Sequence, residues 1–382
     1  ELQARGHQVL VLAKYENAVW KSEDLVNFVR LSVGLDRGVP RLIERLVRRV
    51  QYELKIPYAA FFESLRFVQA CRQELTEFDL LYERMGWMGY AGSWASRKLG
   101  MPLILEVNGD HLPEFEMLGL APRGIQRHLS TILTRWAAHQ AVHSVATGDG
   151  WARKFCQRWG VNSQKISVVE NGSQLVDLLD QAELKAFQNE IAGDEPVVSV
   201  YVGAFEPWHG LDVLLRAVSR LGSAAGRLKL LLIGTGTMEE QLRNLVGALN
   251  LEKQVIFTGH LTPDGMAARL REAEIGFSPY CGRTEYSGLK LIDYKAAGLA
   301  TIASGIDGQP AVIDDEKTGL IVSPCDEEAL CQAIAHLIEN PERRKRMGRN
   351  ARYDAEHQHS WRNTVNHLEE IFEKTVSKAA RQ

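Results

Sequence analysis

Apolar residues along this chain gather into short unbroken runs, separated by stretches of helical spacing, and the alternation occurs twice. In the first half the runs are Val9–Leu12, Leu80–Tyr82, Leu103–Val107, Ala141–Ala146 and Ile166–Val169. In the second they are Val197–Gly203, Leu228–Gly234, Val255–Gly259, Ile275–Pro279, Ala300–Ala303 and Leu320–Val322. Runs without alternation suit strands covered on both faces, and their interleaving with helices predicts α/β architecture with parallel sheets. The polar segment 189–195 reads as a linker. The expected organisation is therefore two Rossmann-like domains, 1–190 and 191–357, followed by a helical segment, 358–382. In that last helix Trp361, Val365, Leu368, Ile371 and Phe372 form a stripe that reads as packing surface.

One helical pattern is more ambiguous. Arg41–Lys55 places Leu42, Ile43, Leu46, Val47, Val50 and Leu54 on one stripe, edged by Arg41, Arg45, Arg48 and Arg49. Such a stripe ordinarily packs on the chain's own sheet, and that is the expectation here. A basic amphipathic helix can also lie on an anionic bilayer, which makes residues 41–55 a point of peripheral membrane contact.

Composition narrows the classes. A chain of 382 residues suits two domains, and a net charge of −3 gives no general reason to expect nucleic acid. No apolar run approaches the roughly 18 residues of a membrane span. The five cysteines (Cys71, Cys156, Cys281, Cys325, Cys331) are odd in number and contain no C-x2-C pair, so neither a disulfide framework nor a zinc site is expected. A cytoplasmic protein follows as the default. The chain opens on ELQARGH, which resembles the end of a helix, with no initiator Met and no signal-peptide pattern.

Chemistry concentrates between Tyr280 and Ser304, YCGRTEYSGLKLIDYKAAGLATIAS. A helix over Gly288–Ala297 follows the strand Ile275–Pro279, with Ser287 placed as its N-cap. The amides of Gly288, Leu289 and Lys290 then point at an anion, and Lys290 adds a charge. Glu285 and Asp293, eight positions apart, flank that helix end. Carboxylates beside an anion site are unfavourable unless they address something else, and sugar hydroxyls are the natural partners.

E-x7-D followed by A-A-G-L-A resembles the E-x7-E signature of glycosyltransferase family 4, and the likeness extends over nearly all of the second half. "YER", "LEVN" and "ISVVENGS" in the first half resemble a bacterial branch of the family. The resemblance implies the GT-B fold, two Rossmann-like domains facing each other across a cleft, with the C-terminal helix crossing back to the first. It implies a retaining, metal-independent hexosyltransferase with no cofactor, whose donor is a nucleotide-diphospho-sugar and whose acceptor is a saccharide or lipid-linked hydroxyl. Glu285 and His111 would be its catalytic residues. Gly203, Ala204, His209, Gly234, His260, Leu261, Ser287, Gly288, Leu289, Lys290 and Asp293 would bind the donor, Asp293 through the ribose. Asn108, Asp110 and Glu114 would face the acceptor. Where many relatives carry Arg and Lys after the first strand of the second domain, this chain has Ala204 and His209 in VGAFEPWHG, so Lys290 and helix amides must carry more of the diphosphate charge. By the same likeness a first strand and glycine-rich loop precede Glu1. A catalytically silent sugar-nucleotide-binding scaffold is the alternative reading. An epimerase of the same architecture ranks last, because such enzymes lack the acidic pair.

Overall fold

The computed structural model describes residues 1–15, 17–109, 112, 115–116, 119–179, 196–281, 288–306 and 310–380. The chain forms two compact units, Glu1–Val169 with Val365–Gln382, and Glu170–Thr364. The linker expected at 189–195 lies outside the described residues.

In the second unit six parallel strands, β8 (Val197–Val202), β9 (Leu228–Ile233), β10 (Val255–Gly259), β11 (Ile275–Ser278), β12 (Ala300–Ser304) and β13 (Gly319–Val322), lie in the order β10-β9-β8-β11-β12-β13. The direction of winding reverses between β8 and β11. In open parallel sheets, ligands bind at such a reversal, outside the carboxyl ends of the strands. β11 and β12 are buried along their whole length, as the absence of polar alternation requires.

β8 and β11 pair only through Ile275 with Ser199 and Gly276 with Val200. Beyond that point they part, and Tyr294 fills the opening. Its hydroxyl accepts from the Val202 amide (2.8 Å) and donates to the Phe277 carbonyl (3.1 Å). Gly276 lets the ring in, since a Cβ there would press on it.

The first unit has a four-stranded parallel sheet, β4 (Leu81–Arg84), β5 (Leu103–Val107), β6 (His143–Ala146) and β7 (Ile166–Val168), in chain order. Leu368, Ile371 and Phe372 of the last helix, Trp361–Ala379, pack on the cluster of Ile104, Val145 and Val169, so the stripe read as packing surface does pack.

Three expectations need correction. The run Val9–Leu12 does not join the parallel sheet. Its strand β1 (Val11–Tyr15) pairs antiparallel with β2 (Ala18–Ser22), which pairs with β3 (Val29–Leu31). Tyr15 opposes Ala18, and a connection that short can only reverse the chain. Second, the apolar stripe of the helix Gly38–Glu53 is not packed on a sheet: Leu42, Ile43, Leu46, Val47 and Val50 are exposed, and Glu44 is the buried residue. Third, Cys281 and Cys325 form a disulfide, with Cα atoms 4.8 Å apart. An odd cysteine count hid one pair among three free thiols, because only the fold brings the ends of β11 and β13 together.

Glu83 in β4 is a buried carboxyl with a measurable signature. The Gly92 amide donates to its Oε1 (3.1 Å), while Oε2 has no hydrogen-bond partner among the described residues. Burial pushes this carboxyl from 4.5 up to about 7. The folded state therefore binds the proton more tightly than the unfolded one, and stability falls as pH rises from 4.5 through 7. Glu83→Gln is expected to raise the urea midpoint at pH 8 and to leave it unchanged at pH 4, where the carboxyl is protonated in both states.

Candidate active site

The carboxyl edge of the second unit's sheet is assembled from four turns that interlock. The Phe205 amide donates to the Thr235 carbonyl, the Gly234 amide to the Gly259 carbonyl and the Cys281 amide to the Trp208 carbonyl, each at 2.9 Å. Gly203 (φ 144°) and Gly234 (φ 133°) occupy conformations that favour glycine, and a Cβ on Gly234 would overlap the Gly203 carbonyl. The turns after β8, β9, β10 and β11 are thereby joined into one rim.

On that rim the helix Leu289–Ala296 begins. Its N-cap is Gly288 at φ 57°, which corrects the assignment of Ser287 to the cap; Ser287 itself lies outside the described residues. The left-handed conformation suits glycine alone here, and a Cβ would also press on Val312. The first intrahelical bond runs from the Ile292 amide to the Gly288 carbonyl (2.9 Å). The amides of Leu289, Lys290 and Leu291 come ahead of it and give the helix end its anion preference.

Lys290 is brought to Gly203, Ala204 and His209 by two tyrosines to which the sequence reading gave no role. Its Nζ sits over the rings of Tyr201 (4.7 Å to the centroid) and Tyr280 (4.9 Å), and 3.5 Å from the Tyr201 hydroxyl. That hydroxyl donates to the Ala204 carbonyl (2.8 Å), and Nδ1 of His209 donates to the same oxygen. The bond fixes a proton on Nδ1. His209 also meets Tyr280 edge to face, ring centres 4.9 Å apart. His260 is exposed just beyond β10, and Leu261 packs partly into the core beside it.

Asp293 sits one turn behind Lys290. Ser173 donates to its Oδ1 (2.6 Å), and burial pushes the carboxyl above the ordinary range against that bond. Ser173 belongs to the Asn-Gly-Ser turn, to which no chemistry was assigned from sequence, and it is a positioning residue for Asp293. In the last turn of the same helix, Lys295 is fully buried. It donates to the Val312 carbonyl (2.8 Å) and pairs with Asp354, and its Nζ lies 3.2 Å from Nε2 of His359. Burial lowers the Lys295 ammonium below its ordinary value; burial and the Lys295 charge hold His359 down at about 4.

In the first unit Asn108 follows β5 and donates to Glu106 (2.9 Å) at that strand's carboxyl end. Nearby, Trp87, Trp151, Phe155 and Trp159 help to line a small cavity with Gly109 and Leu112. Glu285, His111, Asp110 and Glu114 lie outside the described residues.

Two family models cover most of the chain: Glycosyltransferase Family 4 matches residues 1–175, and Glycosyl transferases group 1 matches residues 181–354. The chain belongs to the family 4 glycosyltransferases. The α-D-kanosaminyltransferase of Streptomyces kanamyceticus is 22% identical to this glycosyltransferase over 67% of it, a match that spans 66%, just under two thirds, of the relative's own length. A phosphatidyl-myo-inositol mannosyltransferase of Mycobacterium leprae is 24% identical over 100% of the chain and 91% of the relative. Among solved structures, Anabaena HepE in complex with UDP superposes with a TM-score of 0.67 at 18% identity, over 82% of each chain. The fold is GT-B, as expected.

Proposed function

We propose that this glycosyltransferase moves a hexose from a nucleotide-diphospho-sugar to a hydroxyl acceptor in glycan or glycolipid synthesis, with retention and without a metal ion. The observation that carries the reading is the convergence of Lys290, His209 and the helix N-terminus at Gly288 on one rim at the winding reversal of the sheet. One ammonium, an imidazole and helix amides so arranged are preorganised for a leaving diphosphate, whose charge grows as the glycosidic bond breaks. The UDP bound to HepE supports a nucleotide diphosphate as the ligand class.

In this reading the first-turn amides and Lys290 hold the diphosphate, Asp293 takes the ribose and Glu285 the hydroxyls of the transferred sugar. His111, Asn108, Asp110 and Glu114 serve the sugar and acceptor from the first unit. The bond from C1 to the phosphate oxygen breaks while the acceptor oxygen bonds to C1 on the same face. Its proton passes to a donor phosphate oxygen, and the nucleoside diphosphate leaves. The mannosyltransferase of Mycobacterium leprae acts, by its name, on a phosphatidylinositol, which supports a lipid-linked acceptor.

Glu285→Gln is the test. With UDP-glucose and GDP-mannose as donors, sugar transfer is expected to be lost while calorimetric binding of UDP or GDP is kept. Undiminished turnover in the variant overturns the assignment of Glu285; binding by the wild type without any turnover returns the chain to the silent scaffold.

A further inference from the structure

We infer that the helix Gly38–Glu53, turned inside out, is a docking surface for an anionic lipid bilayer. An amphipathic helix normally buries its apolar face. Here the inward stripe is Glu44, Arg48 and Gln51, at helical spacing. Glu44 is buried with Arg66, which also holds Asp36 (3.0 Å), and Arg48 joins Glu44 (2.8 Å) to Glu63 (2.7 Å). Gln51 donates to the Pro57 carbonyl (3.0 Å). These polar anchors fix the helix's rotation and leave its apolar face outward.

That face carries Val39, Leu42, Ile43, Leu46, Val47 and Val50, each between 43% and 66% exposed, so the apolar side chains have not found a partner within the described residues. It continues past the helix end through Leu54 and Ile56, which are also exposed, and Tyr52 (83% exposed) supplies an aromatic of the kind favoured at membrane interfaces. A contiguous patch of this kind marks an interaction surface.

Charge decides the occupant. Arg41, Arg45 and Arg49 are exposed at i, i+4 and i+8, a row along one border of the apolar face. The helix's acids are Glu44, buried in its ion pairs, and Glu53 in its last turn, so the outward surface is cationic on a chain whose net charge is −3. Beyond the helix end, Lys55 and Arg123 line a cavity of about 690 Å³ with Tyr52, Tyr58 and Ile125, extending the mix of cations and apolar walls. A second copy meeting this face about a twofold axis would bring the same cationic patch and no exposed acid of the helix but Glu53, whereas anionic headgroups neutralise the arginines while the apolar side chains enter the acyl boundary. The inference rests on the lipid-acceptor reading for its purpose, though not for its physics.

Co-sedimentation with phosphatidylcholine vesicles, with and without 30% phosphatidylglycerol, tests it at 50 and 500 mM salt. The chain is expected to partition at least tenfold more strongly onto the anionic vesicles at 50 mM, with the preference shrinking at high salt. The double variant Ile43→Glu, Leu46→Glu should lose binding tenfold or more. Arg41→Gln, Arg45→Gln, Arg49→Gln should lose the anionic preference. Both should melt like the wild type, because the replaced side chains are exposed. No sedimentation at 50 mM salt, or unchanged binding by the double variant, overturns the inference, as does an Ile43- and Leu46-dependent dimer in lipid-free solution. UDP titrated into the same proteins reads the donor site separately, so a failed vesicle experiment and a failed donor site are told apart.

Discussion

Lys290→Ala is expected to lower kcat/KM for sugar transfer by about 10²- to 10³-fold, the usual loss when one preorganised donor to a developing oxyanion is removed. Two features set this size. The ammonium is fixed over two tyrosine rings, so it needs little reorganisation to meet a leaving diphosphate, and the chain has Ala204 and His209 where the family resemblance implies Arg and Lys. Fewer cations share the charge. The loss should fall mainly on kcat, because the diphosphate gains negative charge as the sugar departs, while UDP affinity falls less. Transfer within twofold of wild type would make Lys290 a partner of Tyr201 and Tyr280 with no part in chemistry.

Lys295→Ala should be the most destabilising single change in the second unit, by about 3–5 kcal/mol, the cost of leaving a buried charge pair with one member. It strips Asp354 and the Val312 carbonyl of their shared donor in the last turn of the helix that presents Lys290. Urea unfolding by far-ultraviolet circular dichroism measures it, and a loss under 1 kcal/mol would remove this cluster from the account. The same protein should show an acid limb. His359 has a folded pKa of about 4 against 6.5, so the unfolded state binds the proton first as pH falls. Its contribution is complete above pH 6.5 and is lost between 6.5 and 4. Removing the Lys295 charge takes away one of the two causes of the depression, so the acid limb should become shallower in the variant.

Much of the architecture could be read from apolar runs, because a parallel sheet covered on both faces writes each strand as an uninterrupted segment. The second unit showed this at all six strands. The amino-terminal hairpin did not, since its strands are half-exposed and β2 and β3 lack an apolar run. The helix Leu289–Ala296 was legible from its glycine and lysine, yet its cap was placed one residue early. A left-handed glycine and a serine cap both signal a start, and only the approach of Val312 favours the first. Tyr201, Ser173 and Lys295 were not legible. Each acts through a partner distant in sequence: Ser173 and Asp293 are separated by 120 positions, and Lys295 and Asp354 by 59. The outward face of Gly38–Glu53 was misread for a related reason. Periodicity reveals that a helix has two faces, and it took the carboxylates of Asp36, Glu44 and Glu63 to decide which one turns inward.

The tyrosine wedged between β8 and β11 limits how this site can respond to a ligand. Because one hydroxyl is tied to the backbones of both strands, sliding or tilting the helix Leu289–Ala296 would sacrifice two internal bonds at once. Accommodation of different donors is then left to side chains and to the turns along the rim, while the spacing from strand ends to helix start acts as a fixed gauge. Amide hydrogen exchange at Val202 should accordingly be among the slowest in the unit, whether or not the site is occupied.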